Sequence, residues 1–158
     1  STLWSLYKSW FNDDGSIGYS YFTTDRSTSN TAGFTEINSE IRVDFLSWDS
    51  QTISVSLNGA CLFNVSGSDD GYAHFGIAID GASASDSATG MVGAFSVDNY
   101  GDEAWNATSL TFYENDLAEG YHYATLSGLA VTTFGSGGSL YFSGSGTSGR
   151  RTSLTVKT

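Results

Sequence analysis

An all-β, antiparallel sandwich or barrel is the fold class this sequence predicts, and three observations predict it. Apolar residues recur at every second position from Ile41 to Val156, the period of a strand with one buried and one wet face. Clusters of Gly, Ser, Asn and Asp break the alternation at short intervals. Helix formers such as Lys, Glu, Gln and Met are scarce, whereas the 158 residues include 26 Ser, 17 Thr and 19 Gly, with 15% aromatic. Proline is absent, where average usage would supply about eight.

The elements follow in chain order. Residues 1–11 are aromatic, with Leu3, Leu6, Tyr7 and Trp10 at helical spacing, but the segment is short and uncapped. It runs into Asn12-Asp13-Asp14-Gly15, a strong turn signal, and Ile17, Tyr19 and Tyr21 then alternate. A hairpin with its turn at 12–15 is the better reading. Residues 23–40 are mostly polar, with only Phe34 and Ile37 as anchors, and read as a long loop or an arm against a neighbouring subunit. Residues 1–40 are therefore expected to form an N-terminal hairpin or arm, and 41–158 the sandwich domain.

Ile41, Val43 and Phe45 open that domain. Ile53, Val55, Leu57, Gly59, Cys61, Phe63 and Val65 follow at consecutive odd positions, with Ser54, Ser56, Asn58 and Asn64 between them. This is one long strand, or two bent at Gly59. Ser66 to Gly71 is a turn, Phe75, Ile77 and Ile79 resume the alternation, and 81–90 is a connection. Further strands are expected at 91–98, 108–114, 121–126, 129–134, 139–143 and 152–157. No fixed-period repeat is visible.

Composition excludes several functions. Seventeen carboxylates against six Lys and Arg give a formal net charge of −11. That predicts no nucleic-acid partner, which would need a basic surface, and no docking to an anionic membrane. No apolar run reaches the length of a membrane span. No basic-then-apolar segment opens the chain. The single Cys61 rules out an intrachain disulfide and a cysteine-based zinc site. Its apolar surroundings fit a buried small hydrophobe.

No motif names a reaction. His74 and His122 each sit inside an aromatic strand and read as structural histidines. Ser and Asp are so plentiful that a Ser–His–Asp combination carries no signal, and no G-x-S-x-G elbow is present. Carboxylates cluster at Asp13-Asp14, Asp69-Asp70 and Asp98/Asp102/Glu103. Both Asp-Asp pairs precede Gly, which is turn chemistry, with a calcium loop as the lesser alternative. The sequons at Asn64 and Asn106 are what chance supplies in so Ser/Thr-rich a chain. The expectation is no enzyme, no cofactor and no metal.

The aromatics are the informative residues. Four Trp, nine Tyr and ten Phe exceed what a core of this size needs. Tyr and Trp on a surface give large contact area at low entropy cost. Trp4, Tyr7, Trp10, Tyr121 and Tyr123 are the candidate subunit-interface or ligand-binding residues. Trp48 and Trp105 also lie near turns. Arg150-Arg151 is the only local basic spot.

Leu117-Ala118-Glu119-Gly120-Tyr121-His122-Tyr123-Ala124-Thr125-Leu126-Ser127-Gly128 resembles a hairpin of trimeric jelly-roll head domains, of the complement and tumour-necrosis-factor type. A glycine-rich turn, Ser139-Leu140-Tyr141-Phe142 and a closing strand Thr152–Val156 follow it. Upstream, Ile53 to Val65 and Phe75-Gly76-Ile77-Ala78-Ile79-Asp80-Gly81 resemble the paired core strands of the same domains. The resemblance covers residues 41–158. Such domains recur in bacteriophage capsid decoration, head-fibre and receptor-binding proteins. It implies a jelly-roll β-sandwich and a homotrimer on the virion surface, with the major capsid protein as a partner. The alternative is a secreted or receptor-binding module whose partner is a cell-surface glycan.

Overall fold

A computed structural model of the protein describes residues 16–29, 33–47, 52–65, 71–81, 91–99, 105–115, 117–132, 138–144 and 151–157. The alternation seen in the sequence becomes a division of faces. Ile53, Val55 and Leu57 are fully buried, while Ser54, Ser56 and Asn58 between them point outward. Eleven strands form among the described residues: β1 Ser16–Tyr21, β2 Arg26–Thr28, β3 Thr35–Glu36, β4 Val43–Ser47, β5 Ile53–Val65, β6 Gly71–Ile79, β7 Met91–Asn99, β8 Asn106–Glu114, β9 Gly120–Thr132, β10 Gly138–Phe142 and β11 Ser153–Lys157. A 3-10 turn, Ser39–Ile41, precedes β4.

The pairing is nested. β6 pairs with β7, β5 with β8, β4 with β9 and β1 with β11, all antiparallel. The chain is thus a long hairpin wound over itself. Its partners fall into two sheets, one containing β1-β11-β5-β8 and the other β4-β9-β6-β7. Two packed antiparallel sheets joined this way are a jelly roll, so the expected all-β sandwich is the fold observed.

Each sheet is organised by one 13-residue strand. On one edge of β5, β11 covers Ser54–Asn58 and β10 covers Cys61–Val65. Where one stops and the other starts, Ser143 N donates to Ala60 O at 3.0 Å and Thr152 N donates to Ser143 O at 2.9 Å. β10 and β11 therefore act as one interrupted strand. Gly59 marks this junction: a Cβ there would lie 2.6 Å from Thr152 Cα. The glycine serves close approach rather than a bend, and β5 runs through it as one strand. β9 is likewise continuous, where two shorter strands are expected from the sequence. Its other edge takes β4 and then β3.

Residues 23–40 are more ordered than a loop. β2 pairs with β10, and β3 with β9. Glu40 fastens the segment, accepting from Arg26 Nε at 2.9 Å, Arg26 Nη2 at 2.7 Å and Thr23 N at 2.9 Å. Asn38 Oδ1 accepts from Glu40 N and starts the 3-10 turn. β2 is held by polar side chains and β3 has only two residues, so no apolar alternation announces either. The proposed N-terminal hairpin, with Trp4, Tyr7 and Trp10, lies outside the described residues, as do Trp48 and the Asp13-Asp14 and Asp69-Asp70 loops.

The core lies between the sheets. Phe22, Phe45, Phe75 and Phe142 are its largest fully buried side chains. Phe75 on β6 meets Phe142 on β10 edge to face, 5.1 Å between centroids at 87°. Each such burial contributes about 1.5–3 kcal/mol.

Candidate functional site

The register of β4 against β9 sets Asp44 opposite Tyr123 and Leu46 opposite Tyr121. Val43, Phe45, His122 and Ala124 point into the molecule, so Asp44, Tyr121 and Tyr123 share the outer face. Arg42, at the end of the 3-10 turn, joins them. Its guanidinium lies 3.7 Å from the centroid of the Tyr123 ring. Arg42 Nε donates to Asp44 Oδ1 at 2.8 Å, and Nη2 donates to Tyr121 Oη at 2.9 Å. Tyr121 Oη in turn donates to the same Asp44 oxygen at 2.5 Å.

The result is a closed ring of hydrogen bonds under solvent. Its electrostatics agree. The hydrogen bond that Arg42 donates to Asp44, and the Asp44 charge, hold Arg42 well above the usual arginine range, against the opposing effect of burial. The Asp44 carboxylate likewise keeps the proton on Tyr121, raising its pKa, while Arg42 works the other way. Tyr121 is 45% exposed nonetheless. The four side chains form an amphipathic plate in which the Arg42 and Asp44 charges are paired.

A second arrangement positions the plate from behind. After β6 the chain turns at Asp80 and Gly81, both at positive φ (56° and 67°), a conformation that Asp and Gly tolerate. Asp80 N donates to Tyr123 O at 2.9 Å, and Tyr123 N donates to Asp80 Oδ1 at 3.1 Å. The carboxylate thus extends the ladder beyond the end of β6. Its other oxygen, Oδ2, lies 2.7 Å from His122 Nδ1, and His122 Nε2 lies 2.8 Å from Ala118 O. A carboxylate and a carbonyl both accept, so only the imidazolium satisfies both ring nitrogens. Burial opposes that charge, but the bonds to Asp80 and Ala118 and the attraction of Asp80 outweigh it, and the His122 pKa is raised.

Both histidines occupy structural settings. His74 stacks on Phe34 at 6.4 Å, and His122 packs on Phe45 at 5.8 Å. Cys61 is buried and paired with Thr108 Oγ1 at 3.1 Å; burial raises its pKa. Among the described residues, no three His, Cys, Asp or Glu side chains gather to hold a metal ion. Of the residues singled out in the sequence, Tyr121 and Tyr123 come together on one face. Arg42, Asp44 and Asp80 were not singled out. Only Asp44 lies in a strand, while Arg42 caps the 3-10 turn and Asp80 sits in the turn after β6, and nothing local reveals the partner that Arg42 and Asp44 find 77 to 79 positions away.

No family model and no curated protein matches the sequence. Among solved structures, the protein bears a faint likeness to a chain in "Structure of infectious bursal disease virus Gx strain". It is 15% identical over 88% of this protein, with a TM-score of 0.20. The protein spans about a third of that chain's length. The class rests on the strand connectivity alone: an all-β domain of two antiparallel sheets packed as a jelly-roll sandwich.

Proposed function

We propose that the protein is a non-enzymatic structural protein of a bacteriophage surface, a capsid decoration or head-fibre protein that assembles as a homotrimer. One observation carries the reading: the closed Arg42–Asp44–Tyr121 ring, with Tyr123 under the Arg42 guanidinium, stands on the outer face of the sheet. Tyr and Arg are the residues that anchor protein interfaces. A plate whose charges are already paired goes under a partner without stranding an ion. The jelly roll is an architecture that capsid proteins use, and the resemblance over residues 41–158 points to trimeric members of it. The plate is the surface for a neighbouring copy or for the capsid shell.

Native mass measurement tests the reading. Three chains per particle are expected, together with binding to capsids assembled without the protein. Arg42→Ala weakens one or both without unfolding the domain. A monomer at high micromolar concentration that binds no capsid overturns it.

A further inference from the structure

The sheet on the other side of the molecule carries a separate surface, independent of the plate. Ser54, Ser56 and Asn58 face outward along β5, and the register extends each across the neighbouring strands. Ser56 stands opposite Thr155 on β11 and Thr111 on β8, and Thr155 stands opposite Tyr19 on β1. One row away, Ser54 stands opposite Lys157 and Tyr113. In the other direction, Asn58 stands opposite Ser153 and Ser109. All of these residues except Ser153 and Ser109 line an open groove of about 480 Å³. From β1 to β8 it crosses three strand spacings, about 14 Å.

Two features separate this face from ordinary wet sheet. The described residues include three exposed large hydrophobic side chains, and two of them stand here: Tyr19, 52% exposed, and Tyr113, 63% exposed. Between them the polar atoms are pre-positioned. Ser56 Oγ and Thr111 Oγ1 are 3.1 Å apart, and Ser109 Oγ donates to Asn58 Oδ1 at 3.0 Å. The second feature is charge. In a chain of formal charge −11, none of the described residues that line the groove is a carboxylate. Its one charged side chain is Lys157, which forms no ion pair among the described residues.

We propose that this groove binds an oligosaccharide that carries a carboxylate. A sugar ring has an apolar face of C–H bonds, which suits the electron-rich face of a tyrosine. Its rim of hydroxyls both donates and accepts, as Ser, Thr and Asn do. The Lys157 ammonium supplies a charge-assisted bond to the carboxylate. Other occupants fit less well. Nucleic acid would need several cations. A peptide strand would add to a sheet edge rather than lie across a face. A second copy packed through the same groove would bring no acid to meet Lys157, because none of the described residues that line it is a carboxylate.

Titration followed by NMR, with 3′-sialyllactose, tri-galacturonic acid and neutral maltotriose as probes, tests the proposal. At least one acidic probe is expected to bind with a dissociation constant at or below about 1 mM and to shift the ring signals of Tyr19 and Tyr113. Lys157→Gln weakens that binding about tenfold, the loss of one hydrogen bond to a charged group. Tyr113→Ala weakens it as well. Both side chains are solvent-facing, and an unchanged amide spectrum certifies the fold of each variant. The proposal is overturned if neither acidic probe binds, if maltotriose binds as well as they do, or if Lys157→Gln leaves the affinity unchanged. It is overturned equally if sedimentation shows self-association that Tyr113→Ala abolishes, which would assign the face to a second copy.

Discussion

Asp80 Oδ2 lies 2.7 Å from His122 Nδ1, while the opposite ring nitrogen of His122 faces the Ala118 carbonyl at 2.8 Å. One ionised ring thereby ties the turn after β6 to the start of β9 and to the chain leading into it. The plate of Arg42, Tyr121 and Tyr123 stands on that tie.

The consequence is a pH-dependent stability of known sign. The His122 pKa is raised in the folded protein: burial works against the charge, but the bonds to Asp80 and Ala118 and the Asp80 charge exceed it. A raised folded pKa gives a stabilisation that is complete below the unfolded value of about 6.5 and is lost as pH rises through the folded value. Wild type and His122→Gln should therefore differ more in melting temperature at about pH 5.5 than at about pH 8.5. The variant serves as the reference for every other titrating group. A gap that widens toward alkaline pH would show that the ring is neutral.

Glu40 gives the opposite sign. Hydrogen bonds from the Thr23 hydroxyl, Arg26 and the Thr23 amide lower its pKa from 4.5 to about 2. A depressed pKa stabilises above the unfolded carboxylate value and ceases to do so as pH falls through about 2. The Glu40 side chain is a fifth exposed, at 21%, so solvent screens the cluster. Glu40→Gln should cost about 1 kcal/mol near neutral pH. Urea unfolding should show that cost vanishing in strong acid. The same variant should loosen β2, which hydrogen-deuterium exchange at Arg26 and Thr28 would register.

Cys61 is expected to be inert. Its thiol is fully buried and its pKa is pushed up by that burial, while the bond with Thr108 pulls weakly the other way. Iodoacetamide requires an accessible thiolate. Folded protein should stay unlabelled over a period that completes the reaction in urea. Rapid labelling under native conditions would mean that the β5–β8 pair opens easily.

Gly59 allows Thr152 to approach β5 closely at the β10–β11 junction. Thr152 Cα would sit 2.6 Å from an added methyl, and this neighbour is backbone that cannot swing aside. Gly59→Ala should cost about 2 kcal/mol by overpacking, read as a lower urea midpoint. The damage should concentrate where Ser143 and Thr152 meet, so exchange protection of the Thr152 amide should fall most. Ser54→Ala, outward on the same strand, should leave stability within about 0.5 kcal/mol.

The layers of the fold were legible because strand alternation is a local signal. Ile53, Val55 and Leu57 against Ser54, Ser56 and Asn58 declare which face is wet before any partner is known. β2 was not legible, since Arg26-Ser27-Thr28 has no apolar face and depends on Glu40 twelve or more positions away for its hold. The plate was half legible. Tyr121 and Tyr123 show their shared face by spacing, but Arg42 and Asp44 reach them only through the β4–β9 register. The groove on the other sheet was invisible for the same reason: Tyr19, Thr155, Ser56 and Thr111 form a row in space and no pattern along the chain.

Phe75 and Phe142 give the most direct measure of how the two sheets are held together. They come from different sheets, both are fully buried, and their rings meet at 5.1 Å and 87°, the edge-to-face geometry that aromatic quadrupoles favour. Phe142→Ala should cost about 3–5 kcal/mol, because the lost apolar contact is compounded by a cavity that rigid strands cannot close. Phe75→Ala should cost a similar amount. The double variant should be less destabilised than the sum, by about 0.5–1.5 kcal/mol, the coupling of the ring pair itself. Phe142→Leu, which keeps most of the volume and loses the quadrupole, should remove that coupling at much lower total cost. Strict additivity in the double variant would place the inter-sheet adhesion in area alone, with the ring geometry contributing nothing.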